Sequence, residues 1–500
     1  MGIPYYFYTL TKTYVNILSN TIPCNPDIYC LDFNGIIHPL CAKLISESTN
    51  VNEEHMIEKL YEKVKSDINT LKPQKTLICV DGVVPLAKMI QQRKRRYLSA
   101  YRNKIDNVDV KWDTNCITPG TNFMKQLNTY FKKQVRYNSL PSQIIYSGSD
   151  EYGEGEHKIF NLLQSERENS SVIINGLDAD LIILCLMSHR KNIYLMRESD
   201  SNTYVNIENL RKAIIEELVK KWKIQPISDI YSDEAKDVIE SYCVMCSVLG
   251  NDFIPHLLTL NLKSYGLDKL IYSSGSTYKT HGLLVNNSTI NYMALSDILQ
   301  QLAKNEDREL FEETERYIKK TSPSLIPSEF YAIKNKDTIA PKIYENISKW
   351  HQTYYKTFFH TNIAIDSSVI SNVCQCFITG IYWTYAYYKK KPIDNTWYYP
   401  YEYPPTMKDI ANYTLGNDVP SMKEKTVKLT TNMQLMIVLP IDSKHLVNEK
   451  YQRMMEDQTL GLCHLYPRNY KIHTYLKTHL WECSPVLPLI NINYIIKHIS

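Results

Sequence analysis

At positions 149–158 the chain reads SDEYGEGEHK, with Glu154 and Glu156 standing two residues apart around Gly155. Like charges this close repel, and the arrangement needs either water or a cation. Five further acids occupy comparable turns: Asp32 in LDFNGIIH, Asp81 in CVDG, Asp178 and Asp180 in GLDADLI, and Asp252 in LGNDFIPH. Gly, Asn or Ala flanks each motif, so backbone and ion can approach closely. A single acid pair is usually a solvated turn or a helix start. The joint pattern is different, because hard divalent cations such as Mg²⁺ take oxygen ligands. Seven converging carboxylates exceed what one Mg²⁺ needs. They suit two ions, the arrangement that clamps the attacking and leaving oxygens of an in-line phosphoryl displacement.

A second constellation follows the CVDG motif. Residues 88–104, KMIQQRKRRYLSAYRNK, carry seven basic side chains and no acid. A charge run is usually a solvated helix face, but such faces normally mix signs to gain i,i+4 pairs. Lys88, Gln92, Arg95 and Arg96 fall on one face of a helix. Their donors fit a terminal phosphate, which Arg grips bidentately and Lys meets as a point charge.

These residues need strands to position them. Short β-branched runs at 28–33, 76–81, 143–147, 171–175 and 192–197 alternate with helical patterns near 53–70, 85–104, 120–135, 156–165 and 179–188. Alternation of this kind predicts a parallel sheet covered on both faces. Asp32, Asp81 and Asp178 lie at or just past strand ends, where ligands bind in open α/β sheets. From about 205 the chain turns helical, at 207–222, 234–249, 265–273 and 292–304, and 320–345 reads as a connector. The stretch from about 345 onward is dense in aromatics and prolines and reads as irregular structure packed on something larger.

The bulk composition sets bounds. A 500-residue chain exceeds one simple core. A net charge of +4 leaves any nucleic-acid affinity to local patches. No apolar run reaches membrane-spanning length, and the opening residues lack the pattern of a secretory signal. The 12 cysteines lie mostly in apolar contexts and read as buried thiols of a reducing compartment. The CxxC of Cys243 and Cys246 and the CxC of Cys374 and Cys376 have no histidine at ligand spacing, so a structural role outweighs zinc.

Seven ordered motifs, MGIPYYFYTL, LDFNGIIHP, VDGVVPLAKMIQQRKRRY, ITPGTNFM, GEGEHKIF, NGLDADLI and LGNDFIPHL, resemble the first conserved region of the Xrn family of 5′→3′ exoribonucleases. The runs YYKTFF, GIYWTYAYYKKKPIDNTWYYPYEYPPTMKDI, MQLMIVLP, LYPRNY and LWECSPVLPLIN resemble its second conserved region. The resemblance implies an α/β fold: a PIN/FEN-like parallel-sheet nuclease core flanked by helices, at 1–340, and a mostly helical, aromatic-rich second region at 341–500 that completes the channel. It implies two divalent ions, Mg²⁺ or Mn²⁺, held by Asp32, Asp81, Glu154, Glu156, Asp178, Asp180 and Asp252. It makes Lys88, Gln92, Arg95 and Arg96 the 5′-phosphate pocket and His38 a base-stacking residue. A tryptophan is the other stacking partner, with Trp383 favoured over Trp397, and Asn34 supports the site by hydrogen bonding.

The implied activity is processive 5′→3′ hydrolysis of single-stranded RNA with a 5′-monophosphate. The expected setting is a monomer inside the cell, away from membranes, in the cytoplasm (a host's cytoplasm or a virion for a viral member) with the nucleus as the alternative, and with a decapping enzyme acting upstream. A compact chain of this composition suggests a viral or protist member. The competing readings are a flap-endonuclease-like enzyme acting on DNA and a catalytically silent RNA-binding scaffold. Departures from the family pattern include Tyr152 in place of a proline before GEGE, Asn395 in place of the first of two tryptophans, and Glu402 in place of a histidine. None of the three falls on an expected metal or phosphate ligand.

Overall fold

The computed structural model describes residues 3, 5–21, 25–47, 52–107, 110–137, 140–197, 203–319, 337–362, 366–416 and 424–499. The chain forms two compact units, neither of them continuous in sequence. A sheet unit takes residues 10–212, 427–468 and 488–500, and a helical unit takes 1–9, 213–426 and 469–487. These units differ from a division at residue 340. Helix Thr431–Val438, far along the chain, packs within the sheet unit on the basic helix described below.

The sheet unit is built on seven strands: β1 (Leu18–Ser19), β2 (Ile28–Asp32), β3 (Lys75–Cys79), β4 (Gln143–Ser147), β5 (Val172–Asn175), β6 (Ile193–Met196) and β7 (Tyr204–Asn206). Their order is β1-β7-β6-β5-β2-β3-β4. The five strands from β6 to β4 are parallel, with Ile28 opposite both Lys75 and Val172, whereas β7 and β1 run antiparallel at one edge. Central β2 is buried along its whole length. Its run IYCLD is therefore apolar without alternation, as a strand covered on both faces requires.

Helices α1 (Asn34–Glu47), α2 (Glu53–Leu71) and α4 (Asn122–Arg136) cover one face, where Phe33, Ile37, Met56, Leu60 and Phe131 join Tyr29, Leu31 and Ile78 in one core. Asn52 caps α2 by accepting from the Glu54 and His55 amides, and Thr121 caps α4 through the Met124 amide. The basic helix α3 (Leu86–Asp106), α5 (Gly155–Leu163) and α6 (Asp180–Met187) each begin beyond the carboxyl end of a strand. Helix α1 escapes a sequence reading. It starts with Asn-Gly and contains Pro39, both ordinarily turn signals.

The helical unit contains Asp233–Val248, Gly266–His281, Tyr292–Ala303, Glu306–Lys319, Trp350–Phe358, Ser368–Tyr388 and Met407–Gly416 among its helices. The run 345–416 is more helical than its proline and aromatic content suggests. Irregular backbone is confined largely to the stretch around TWYYPYEYPP. Trp350, Tyr354, Tyr355, Tyr403 and Tyr475 form an aromatic core there. Cys243 and Cys246 are buried in their helix, and the Cys246 thiol contacts the Tyr6 hydroxyl at 3.9 Å. Among the described residues no helix is long and apolar enough to cross a membrane.

Candidate metal and phosphate site

Four adjacent parallel strands, β5, β2, β3 and β4, deliver acids to their shared carboxyl end. Asp32 closes β2, Asp81 follows β3 by two residues, Glu154 and Glu156 follow β4, and Asp178 and Asp180 follow β5. The loop after β4 is folded back on β3. The Gly82 amide donates to Gly153 O and the Gly153 amide to Val83 O, both at 2.8 Å. Gly153 has φ +106°, a conformation that L side chains rarely adopt. Buried Lys158 fastens the same loop by donating to Val80 O at 2.8 Å and Gly148 O at 2.7 Å. Gly155 then brings the start of α5 against the acids. A methyl group at that position would lie 2.8 Å from both Asp32 Oδ1 and Cys79 O.

The six acids share one electrostatic environment. Burial, and then the charges of Asp81, Asp178 and Glu154, push the Asp32 carboxyl well above its ordinary range against the pull of Lys88. Glu156 is raised in the same way by burial and by Glu154, Asp180 and Asp32, again opposed by Lys88. Asp81 is raised by burial and Glu154, moderated by the Gly155 amide, Lys88 and Lys158. The Gly155 amide donates to Asp81 Oδ1 at 2.7 Å, and the Asp81 amide donates to the Asn34 side-chain oxygen at 3.1 Å. Carboxylates buried and repelling to this degree fit a divalent cation, which removes both penalties. The donor set is oxygen-rich, with one imidazole close by. Glu154, Glu156 and His157 offer ligand atoms within 4.8 Å of one another.

Beside the acids, α3 carries Lys88, Gln92, Arg95 and Arg96 at helical spacing on one face. Lys88 Nζ lies 2.6 Å from Glu154 Oε2, with both side chains nearly inaccessible to solvent. Gln92 accepts from Gln434 Nε2 at 3.3 Å, and Gln434 in turn accepts from the Val84 amide at 3.2 Å. Arg95 is exposed. Arg96 has a buried Nη1 without a hydrogen-bond partner, and burial, then Arg95, lowers its pKa to about 9. It remains a cation at neutral pH, with one donor unspent. Arg93 belongs to the other side of the helix. It is buried, donates to Ile437 O at 2.7 Å and to Leu465 O, and stacks over Tyr97.

His38, on α1, is an exposed side chain in a crowded setting. Desolvation, then Arg95 and Arg96, lowers its pKa to about 4, while Asp178 opposes. Solvent at this exposed ring limits the size of that shift, and the neutral imidazole is the favoured form at pH 7. The His38 ring thus feels the charges of both Arg95 and Arg96 and, more weakly, Asp178.

Residues 1–199 match the family model described as the XRN 5′-3′ exonuclease N-terminus, and residues 233–346 and 334–500 match the Xrn1 helical domain. The chain belongs to the Xrn family. It is 27% identical to human 5′-3′ exoribonuclease 1 over 98% of its own length and 33% of that protein. Against chicken (Gallus gallus) 5′-3′ exoribonuclease 2 it is 25% identical over 98% of this chain and 69% of the relative. Identity with the Kluyveromyces lactis 5′-3′ exoribonuclease 2 is 30%, over 61% of this chain and 39% of the relative. The chain thus spans a third of the human relative and about 69% of the chicken one. Among solved structures, a phage T5 flap endonuclease aligns over 78% of this chain and 99% of its own at a TM-score of 0.28 and 9% identity, too distant to carry an argument.

The structure thus gathers six of the seven acids expected from this Xrn sequence in one unit. Asp252 lies in the helical unit, in the turn after helix Asp233–Val248, where Asn251 Oδ1 accepts from the Phe253 and Ile254 amides. Trp383 calls for a correction. Its relative exposure is 0%, its ring stacks against Tyr387 at 4.9 Å and Trp397 at 5.4 Å, and its Nε1 donates to Asp394 O at 2.8 Å. No face is left for a base. Trp397 is only half-buried and is the better candidate of the two. His157, which was not singled out from the sequence as a site residue, sits with the glutamates. Its position directly after GEGE was the available signal. Lys158 serves the loop, and Gln434 had no local signal at all.

Proposed function

We propose that this chain is a 5′→3′ exoribonuclease that hydrolyses single-stranded RNA from a 5′-monophosphate end and releases mononucleotides. One observation carries the reading: a cluster of six mutually repelling carboxylates, four of them buried and Asp81 and Asp178 partly exposed, stands beside a helix face of Lys88, Gln92, Arg95 and Arg96, in a chain of the Xrn family. Asp32, Asp81, Glu154, Glu156, Asp178 and Asp180 would hold two divalent ions, Mg²⁺ or Mn²⁺, with Asp252 added by family resemblance. Such ions, when bound, supply an activated water and neutralise charge on the phosphate being cut.

The chain's own residues do the rest. The Gly155 amide and Asn34 fix Asp81 from both sides. Arg96, with its unspent buried donor, and Arg95 grip the terminal phosphate, and Lys88 adds a point charge. His38, neutral at pH 7, stacks on a leading base, as does Trp397. Stacking of this kind tolerates any sequence. A triphosphate or cap would bring bulk and charge beyond what this set of donors holds, and should be rejected. Monophosphate ends are what decapping leaves, so a decapping enzyme would act upstream, and the protein would work as a monomer in the cytoplasm.

The test uses 5′-labelled RNAs of one sequence bearing monophosphate, triphosphate or hydroxyl ends, with a 5′-phosphorylated single-stranded DNA as a fourth arm. The monophosphate RNA should be degraded at least about tenfold faster than the triphosphate and hydroxyl RNAs, since charge-assisted hydrogen bonds are worth about 1.5–3 kcal/mol each, and faster than the DNA, which shares its terminal phosphate. Equal rates on the three RNA ends would overturn the phosphate pocket, and faster loss of the DNA would overturn the substrate class.

A further inference from the structure

Lys88 stands in two sites at once. Its position on α3 aligns it with Gln92, Arg95 and Arg96 on the phosphate face. Its ammonium, however, is 2.6 Å from Glu154 Oε2, inside the acid cluster, with only 9% of its side chain and 4% of its partner's accessible. The same charge moderates the ionisation of Asp32, Asp81 and Glu156. Lysine suits two such posts, because its compact charge rides on a flexible four-carbon stem, unlike the planar fork of arginine. An ammonium that neutralises Glu154 competes for the position of an incoming cation. Once a divalent ion neutralises that carboxylate, repulsion between ion and ammonium drives the side chain toward the phosphate face.

We propose that Lys88 is an exchangeable counter-ion: it holds Glu154 in the metal-free protein and is transferred to the RNA 5′-phosphate when metal binds. The inference rests on the metal site and phosphate face proposed above and adds a coupling between them. Metal binding arms the phosphate pocket, and by reciprocity an occupied phosphate pocket tightens metal binding. An Xrn chain of this kind would therefore hold RNA ends weakly until its ions are in place.

Calorimetric titration tests this with Mg²⁺ alone and with uridine 5′-monophosphate, which has no internal phosphodiester to cut. Three proteins are compared, each checked for folding by circular dichroism: the unaltered chain, Lys88→Met and Glu154→Gln. Removing the competing ammonium should make Lys88→Met bind Mg²⁺ about tenfold tighter. The unaltered protein should bind the nucleotide about tenfold tighter with Mg²⁺ than without, and Lys88→Met should lose that dependence. Glu154→Gln, which releases Lys88 by another route, should bind the nucleotide without Mg²⁺ as tightly as the unaltered protein does with it. This variant carries the test if Lys88→Met fails to fold. Mg²⁺ affinity unchanged or weakened in Lys88→Met overturns the inference while leaving the metal site standing. Coupling that persists in Lys88→Met assigns it to direct ion–phosphate contact and also overturns the inference. Absence of Mg²⁺ binding in the unaltered protein overturns the metal site and the inference together.

Discussion

Two buried carboxylate environments, one in each unit, are built on opposite terms. In the helical unit, Asp409 accepts from His351 Nε2 at 2.7 Å, the Tyr355 hydroxyl at 2.7 Å and the Thr406 hydroxyl at 2.5 Å. Burial opposes its ionisation, but those donors outweigh burial and hold its pKa below the ordinary value. In the sheet unit, Asp32 and Glu156 are raised well above the ordinary range because burial and neighbouring acids act in the same direction. Asp409 is satisfied by protein and stabilises it. The cluster is left under repulsion, as expected of a site completed by something from outside. Burial alone does not distinguish the two. The sign of the surrounding charge does.

The largest expected effect comes from breaking the unsatisfied side. Glu156→Gln should lower RNA hydrolysis on the order of 10³-fold or more, as loss of a group acting in concert with others does. The thermal midpoint of the metal-free protein should hold or rise, because a repelling charge is gone. A steady-state assay with a melting curve reads both, and retained activity would show that the repelling cluster is no more needed for hydrolysis than Asp409. Next is Trp383→Ala, which should cost about 3–5 kcal/mol of stability through lost packing. Trp397→Ala should instead weaken RNA binding with a smaller stability loss. Denaturant unfolding and an RNA-binding titration separate the two.

Asp409→Ala strands the His351 and Tyr355 donors and should cost about 2 kcal/mol, discounted for the part-exposed histidine. The activity of the folded protein should remain. Comparing denaturant midpoints with specific activity checks this.

The pH response sharpens the same contrast. Asp32, Asp81 and Glu156 titrate higher folded than unfolded. Above about pH 4 the metal-free folded protein thus holds more protons than the unfolded chain, and their contribution to stability falls as pH rises toward neutrality. Asp409, held low, contributes stability above about pH 4 that is lost on acidification through its folded pKa. Hydrogen exchange from pH 5 to 8 should show protection of β2 and β3 falling with pH and that of helix Trp350–Phe358 keeping its value. Mg²⁺ should flatten the first trend. The smallest effect belongs to Tyr152→Pro. That side chain is 54% exposed, and the change should stay within about 0.5 kcal/mol by thermal melt.

Much of this arrangement was legible in the chain because strand ends and motif turns are local features. β2, β3, β4, β5 and β6 lie within a residue or two of their apolar runs, Asp32 and Asp81 fall where two of those runs stop, and the other four acids of the cluster lie in the motifs that follow β4 and β5. Features set by distant residues were not legible. The Lys88–Glu154 pair joins positions 66 apart in sequence, and Gln434 reaches Gln92 from 342 residues away. Trp383 and Trp397 occupy equally aromatic runs, so only packing could show that the first is walled in by Phe253, Tyr387 and Trp397. The compact units likewise depend on segment 427–468 rejoining the sheet unit, which no local composition announces.

The direction of degradation tests the exoribonuclease reading most directly. One RNA with a 5′-monophosphate is labelled in separate preparations at its first and last nucleotide, then incubated with the protein and Mg²⁺. The 5′ label should appear at once as a mononucleotide, the 3′ label should stay in long RNA until the end, and a chelator should stop both. Early release of the 3′ label, or internal fragments carrying the 5′ label, would contradict that reading.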